Sequence, residues 1–104
     1  MNIFKQEKLW STVLKHPKRK MIASALSSEP SGCTFKYLSI VCDTRDVDSL
    51  LLHINSMIEK EAIHTIEKSG FVTYFITDAF KEYYHNQKTR NSQPENPQLE
   101  NINN

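Results

Sequence analysis

The chain has 104 residues, of which 38% are hydrophobic and 24% charged, and its formal net charge is +1. A chain of this length has room for one domain with a modest core, which excludes two independent domains. The near-zero net charge excludes a general electrostatic attraction to nucleic acid, so such binding would need a local cluster of cations.

Membrane and metal functions find no support in the sequence. No run approaches the roughly 20 apolar residues that cross a bilayer, and the first residues lack the apolar core of a signal peptide. We therefore expect a soluble, cytoplasmic protein. Cys33 and Cys42 show no metal-ligand spacing, and a helix between them would hold them about 13 Å apart, too far for a disulfide. We expect reduced thiols, and neither a metal nor a cofactor.

The first two predicted elements are helices. Apolar residues recur at helical spacing from Ile3 to Lys15, and Pro17 ends this helix because proline lacks a backbone donor. A second helix is predicted from Pro17 to Ser27. Cations in its first turn oppose the helix dipole, so they form either a solvated helix start or a functional cluster; they are Lys18, Arg19 and Lys20.

Two more helices follow a turn-forming stretch at residues 27–32. Thr34 is the predicted N-cap of a short helix from Phe35 to Val41, and Asp46 that of the next helix, Val47 to Glu61. The second of these has the clearest helical periodicity. Its predicted inward residues are Val47, Leu50, Ile54, Met57 and Ile58.

The last elements are a hairpin and a helix. Ala62 to Ile66 and Phe71 to Thr77 are rich in β-branched and aromatic residues, and a glycine lies between them, which predicts a β-hairpin. A final helix is predicted from Asp78 to Asn86. The polar residues 87–104 have little to bury and predict a disordered tail after a domain at residues 1–86. The expected fold is mainly α with a small hairpin, in the order α-α-α-α-β-β-α.

The stretch from Thr34 to Tyr83 resembles the winged helix-turn-helix domain of ArsR/MarR-like regulators. Its Thr-Phe-x-x-Leu helix is matched at residues 34–38, and Tyr74 to Thr77 approximates the strand that follows the wing. The Leu-x-x-His-Ile pattern of the recognition helix is matched by Leu50, His53, Ile54 and Met57.

This resemblance implies a winged-helix fold and DNA binding in transcriptional control. The chain departs from the family at Glu61, where glycine is common, and it lacks the cysteine motif of the metal-sensing members. His53 occupies the place of a family histidine that is usually packed or bonded, so we expect a structural role for it.

Sequence-specific binding of double-stranded DNA is the first functional hypothesis. Polar side chains on the outward side of the recognition helix suit contacts with bases or phosphates, and they are Ser49, Asn55 and Ser56. Cations around the helix suit phosphates, with the last of them near the hairpin tip: Lys36, Arg45, Lys60 and Lys68. Asp46 and Asp48 would repel phosphate unless they are aimed at the amino group of a cytosine.

A protein-interaction adaptor is the alternative hypothesis. Leu51 and Leu52 point outward in the predicted helix and suit a protein partner better than DNA. Enzymatic function is not expected, since no nucleophile with a base, no carboxylate pair and no phosphate-binding glycine loop is present.

A homodimer is also expected, with its seam along the first and last helices. These helices carry more apolar surface than a small core needs. The predicted interface residues are Trp10, Leu14, Phe80, Tyr83 and Tyr84.

Overall fold

The structure, a computed structural model, describes residues 3–92, and at residues 3, 4 and 90–92 it describes the backbone alone. Its elements follow the predicted order: α1 (Ile3–Val13), α2 (Pro17–Ser27), α3 (Phe35–Val41), α4 (Val47–Glu59), β1 (Ile63–Lys68), β2 (Phe71–Ile76) and α5 (Asp78–Ser92). The two strands form one antiparallel sheet. The predicted fold class, mainly helical with a small hairpin, is confirmed.

Three helix boundaries differ from those predicted. The helix α1 ends at Val13 and α4 ends at Glu59, each two residues early, whereas α5 continues to Ser92. The polar residues after Asn86 contain no proline before Pro94, so no residue with a missing backbone donor stops α5 earlier. Residues 87–92 of the predicted tail are therefore helical, and α5 crosses the domain boundary predicted after residue 86. The rest of that tail lies outside the described residues.

Both predicted N-caps of the helix-turn-helix are confirmed. Thr34 Oγ1 accepts a hydrogen bond from the amide of Tyr37, and Asp46 Oδ1 accepts one from the amide of Ser49, each at 3.1 Å. These bonds satisfy amides that have no partner within the helix. The starts of α3 and α4 are thus set by local sequence.

The helix α4 ends in a Schellman motif with a residue other than glycine in the left-handed conformation. Glu61 has φ of 62°. Its amide donates to the carbonyl of Ile58 at 3.0 Å, and the amide of Ala62 donates to Met57 at 2.8 Å. Glu61 therefore adopts a backbone conformation that favours glycine, at a steric cost.

Contacts from distant segments hold this helix end. Trp10 Nε1 donates to the carbonyl of Lys60 at 2.9 Å, and Thr77 Oγ1 donates to that of Glu61 at 2.8 Å. Gln6 Nε2 donates to Glu61 Oε1 at 2.8 Å. The C-terminus of α4 is thereby joined to α1 and to the residue preceding α5.

The hairpin turn is shorter than predicted. The strands pair from Ile63 with Ile76 to Lys68 with Phe71, which leaves only Ser69 and Gly70 in the turn. Both turn residues have positive φ, 53° and 83°, as a two-residue type I′ turn requires. Lys68 is therefore the last residue of β1 and not part of the turn.

One residue before α3 extends the hairpin. The amide and carbonyl of Cys33 both bond to Tyr74 at 2.8 Å. Gly32, just before, has φ of 87°, and a Cβ there would overlap the Thr73 methyl group and the Phe75 ring. Only glycine fits this position, because its conformation and its close neighbours both exclude a side chain. The sequence pattern indicates a turn here but not this pairing.

All five helices and the start of β1 contribute to the core of the described residues. The ring of Phe80 meets that of Trp10 edge-on, with centroids 5.4 Å apart. The largest buried side chains are those of Trp10, Ile22, Leu26, Leu38, Leu50, Ile54, Met57, Ile63 and Phe80. Val47, predicted to face inward, is 53% exposed, because the first buried position of α4 is Leu50, almost one turn later.

We expect Glu61→Gly to stabilise the fold by about 0.5–1 kcal/mol. Glycine removes the penalty of about 1–2 kcal/mol for the left-handed conformation. Part of this gain in stability is lost because glycine gives the unfolded chain greater backbone freedom. Urea unfolding followed by circular dichroism measures the change. Gln6→Ala is the control, since it removes the exposed bond to Glu61 alone. A destabilised Glu61→Gly variant would contradict this account.

Candidate nucleic-acid interface

The connection between α3 and α4 is held by α2. Lys18 Nζ donates to the carbonyl of Cys42, the C-cap of α3, at 2.6 Å, and Thr44 Oγ1 donates to the same oxygen at 3.1 Å. A cation at this carbonyl also complements the negative end of the α3 dipole. Lys18 thus has a structural contact, and the cations at the start of α2 are not simply a solvated helix start.

The outward side of α4 carries acidic, apolar and uncharged polar residues. Spacing of four, three and four residues places four exposed side chains along one strip of the helix: Asp48, Leu52, Asn55 and Glu59. Leu52 is 71% exposed and Leu51, beside the strip, is 38% exposed. The strip contains no cation, and Asn55 alone has an uncharged group that can both donate and accept hydrogen bonds.

The predicted serine contacts flank this strip. Ser49 and Ser56 are half-buried. Ser56 Oγ accepts a hydrogen bond from Lys60 Nζ at 2.9 Å, so Lys60 is held against α4. The hydroxyl proton of Ser56 is not used in that bond and can still be donated.

The other predicted cations lie around α4 on three different segments. Lys36 is in the first turn of α3, Arg45 in the connection, and Lys68 at the end of β1, and all three are exposed. Asp46 next to Arg45 is exposed, but its carboxylate is engaged as the N-cap of α4. These three cations therefore lie on the helix and the connection before α4 and on the strand after it, and not on its outward strip.

The site predicted from the sequence does not include the exposed apolar residues of the hairpin. Phe71 is 76% exposed and Ile66 is 49% exposed. The apolar run from Phe71 to Ile76 indicates a strand, but which side chains face outward follows only from the two-residue turn and the register.

His53 is bonded within the fold, in agreement with its predicted structural role. Arg19 Nε donates to His53 Nδ1 at 3.0 Å, and the His16 ring lies 5.6 Å from the His53 ring between centroids. Burial lowers the pKa of His53, as do the nearby charges of Arg19, His16 and Lys18. The imidazole is therefore held neutral, with its proton on Nε2.

The two cysteines are buried free thiols. Burial raises the pKa of both, and Glu29 also raises that of Cys33. A protonated thiol is a poor nucleophile and a poor metal ligand. Among the residues whose side chains are described, no group of three or more His, Cys, Asp or Glu residues could hold a metal ion. None of the helices in the described part of the chain is both long and apolar enough to span a membrane.

Three of the predicted dimer residues, Trp10, Phe80 and Tyr84, belong to the buried core. Trp10 and Phe80 are buried within the single chain, so they offer almost no surface to a second copy. Leu14 and Tyr83 are partly buried. With the nearly buried Tyr84 they line an open groove of about 490 Å³, together with Ser11, Lys20, Gln87 and Lys88.

Comparison with known proteins identifies the fold. A scan against protein-family models finds no match, and a search of curated proteins finds no significant one. A predicted DNA-binding transcriptional regulator from E. coli superposes with a TM-score of 0.64 and 21% identity over 76% of this chain and 82% of its own. An ArsR family transcriptional regulator superposes with a TM-score of 0.63 and 19% identity over 86% and 94%.

These similarities confirm the resemblance at the level of the fold. The chain has a winged-helix fold like that of ArsR-type regulators, in which α3 and α4 form the helix-turn-helix and β1 and β2 form the wing.

We expect stability to fall as the pH drops below about 6.5, the ordinary pKa of histidine, towards the lower pKa of folded His53. In that window the unfolded chain binds more protons than the folded one, so protonation favours unfolding. His53→Gln keeps an acceptor for Arg19 but does not titrate. It should therefore reduce the slope of stability against pH. Thermal unfolding across pH 5–8 measures it, and equal slopes in both proteins would contradict the prediction.

Proposed function

We propose that this chain is a small transcriptional regulator that binds double-stranded DNA in a sequence-specific manner. The observation that carries the proposal is the exposed helix-turn-helix with an exposed cation on each neighbouring segment, namely Lys36, Arg45 and Lys68. Two solved structures with the same fold are transcriptional regulators, one of them described as a predicted DNA-binding protein.

Base contacts are assigned to α4. The amide of Asn55 can donate to and accept from a base edge, and Ser49 and Ser56 add hydroxyl groups at the flank of the helix. Lys60 contributes a charge near Ser56, to which it is bonded. The carboxylate of Asp48 suits the amino group of a cytosine, which donates a hydrogen bond in the major groove.

Phosphate contacts are assigned to the surrounding cations. Each phosphate that a cation neutralises makes the affinity more sensitive to salt, by about 0.9 in the slope of log affinity against log salt concentration. A footprint of few cations predicts weak binding at physiological salt by one copy of the chain. Two copies would double the number of contacts.

A homodimer is part of this proposal. The groove between α1, α2 and α5 leaves Leu14 and Tyr83 partly exposed beside Tyr84, which suits the same groove of a second copy. Trp10 and Phe80 support this surface from within the core. Two copies joined there would present two helix-turn-helix units.

We expect sedimentation to show a dimer at micromolar concentration. Leu14→Glu should shift the protein to a monomer, because it places two carboxylates at the seam. The thermal unfolding midpoints of the variant and of the wild-type protein are both extrapolated to low protein concentration. Equal midpoints would show that the variant still folds. A wild-type protein that remains a monomer at all micromolar concentrations would refute the dimer.

We expect duplex binding to be measurable at low salt and to weaken as salt rises. Arg45→Ala and Lys68→Ala should each lower the salt slope by about 0.9 for every copy of the chain on the duplex, because each removes one phosphate contact per copy. Lys8→Ala, at an exposed position of α1 outside the proposed contact, is the matched control and should leave the slope unchanged. Fluorescence anisotropy with labelled duplexes enriched from a random-sequence pool measures all four proteins.

The adaptor function is the second candidate, and the exposure of Leu51 and Leu52 favours it. Absence of duplex binding by the wild-type protein at low salt would reject the DNA proposal and leave the adaptor. Under the adaptor hypothesis, the folded Leu51→Asp, Leu52→Asp variant loses a protein complex that the wild-type chain forms.

A further inference from the structure

The tip of the hairpin carries the most exposed large apolar side chain among the described residues. Phe71 is 76% exposed. It is the first residue of β2, directly after the turn, and it pairs with Lys68 across the strands. An aromatic ring in water at the end of a projecting element has no role in the core. Such exposed apolar surface is typical of a contact with a partner.

The two faces of the hairpin differ in charge. Residues directly opposite each other share a face and successive residues alternate, so one face carries Lys68 with Phe71, Ile66 with Thr73 and His64 with Phe75. This face of the hairpin has no acid. Glu67, with Val72, lies on the other face.

The base of the first face is already occupied by the fold. His64 and Phe75 stack with ring centroids 5.2 Å apart. Glu29 and Asp78 lie near them, around a small pocket at the base. Near the tip this face thus presents a cation and an apolar ring, and the acid of the strands, Glu67, lies on the opposite face.

The hairpin holds Phe71 in a defined position. Ser69 and Gly70 close the strands in a tight turn, and no atom lies within 4 Å of the position that a Cβ on Gly70 would occupy. The double hydrogen bond between Cys33 and Tyr74 fixes β2 to the start of α3. A ring on such an element is presented to a partner with little loss of conformational freedom.

An apolar ring beside a cation matches the minor groove of DNA. Proteins that bind this groove place cations near its phosphates and insert apolar side chains between base steps, which partly unstacks and bends the duplex. A flat ring on a narrow two-stranded tip suits a groove that is only about 6 Å wide.

We propose that Phe71 is an apolar wedge that enters the minor groove of bound duplex DNA and partly unstacks one base step, while Lys68 contacts a neighbouring phosphate. The inference rests on the proposed DNA-binding function and assigns to the hairpin a part in bending the DNA. It also predicts a preference for flexible pyrimidine–purine steps at the position of the wing.

Two properties of Phe71→Ala separate a wedge from a phosphate contact. The variant should bind duplex about tenfold more weakly than wild type, a loss typical of an aromatic ring that stacks on bases. Its salt slope should stay unchanged, because a phenyl ring releases no counterions, whereas Lys68→Ala lowers that slope.

The experiment uses duplexes enriched by the wild-type chain from a random-sequence pool, with a fluorescent donor and acceptor at the two ends. The wild-type protein should shorten the distance between the ends and Phe71→Ala should not. Phe71→Leu should retain most of the bend, since leucine also acts as a wedge. Val72→Ala is the matched control on the opposite face and should behave as wild type. Circular dichroism checks that all variants fold.

The outcomes are distinct. Weaker binding by Phe71→Ala with an unchanged salt slope and a lost bend supports the wedge. Binding and bending equal to those of Val72→Ala overturn the wedge and leave DNA binding by the chain intact. Failure of the wild-type chain to enrich any duplex at low salt rejects the proposed function, and the wedge with it.

Discussion

The C-terminus of α4 is the point on which the arrangement of the other elements depends. The carbonyl groups of Lys60 and Glu61, which follow its last residue, accept hydrogen bonds from Trp10 of α1 and from Thr77, the residue before α5. The next residues lead directly into β1. Glu61 must adopt a left-handed conformation for these contacts to form together. Four elements therefore meet where the chain changes from helix to strand, and the local steric cost is offset by the contacts on either side.

This junction explains which parts of the fold are predictable from sequence. Helical periodicity and the caps Thr34 and Asp46 depend on residues three or four positions apart, so they are visible in the chain itself. The hydrogen bonds between Cys33 and Tyr74 join residues far apart in sequence, and no local pattern indicates them. The same is true of the bonds from Lys18 to Cys42 and from Arg19 to His53.

The candidate site was only partly predictable for a similar reason. The outward residues of α4 follow from the helical period, and their exposure agrees with it, as with Leu52 and Asn55. The prominence of Phe71 depends instead on a two-residue turn, and a turn one residue longer would have reversed the faces of one strand. The burial of Trp10 and Phe80 depends on the contact between two helices at opposite ends of the described chain, which composition cannot reveal.

The distribution of charge separates two roles within the helix-turn-helix. Exposed cations lie on α3, the connection and the hairpin, whereas the outward strip of α4 is acidic at both ends, with Leu52 and Asn55 between. Long-range attraction to a polyanion would therefore come from the periphery, where it sets the encounter rate, and discrimination would come from the few polar groups of α4.

The pairing of Cys33 with Tyr74 has a consequence for the mechanics of the domain. It joins the residue just before the α3 cap to the middle of β2, and Gly32 allows no side chain between them. Two backbone hydrogen bonds consequently connect the wing directly to the residue before the helix-turn-helix, so the position of β2 and the start of α3 are set together.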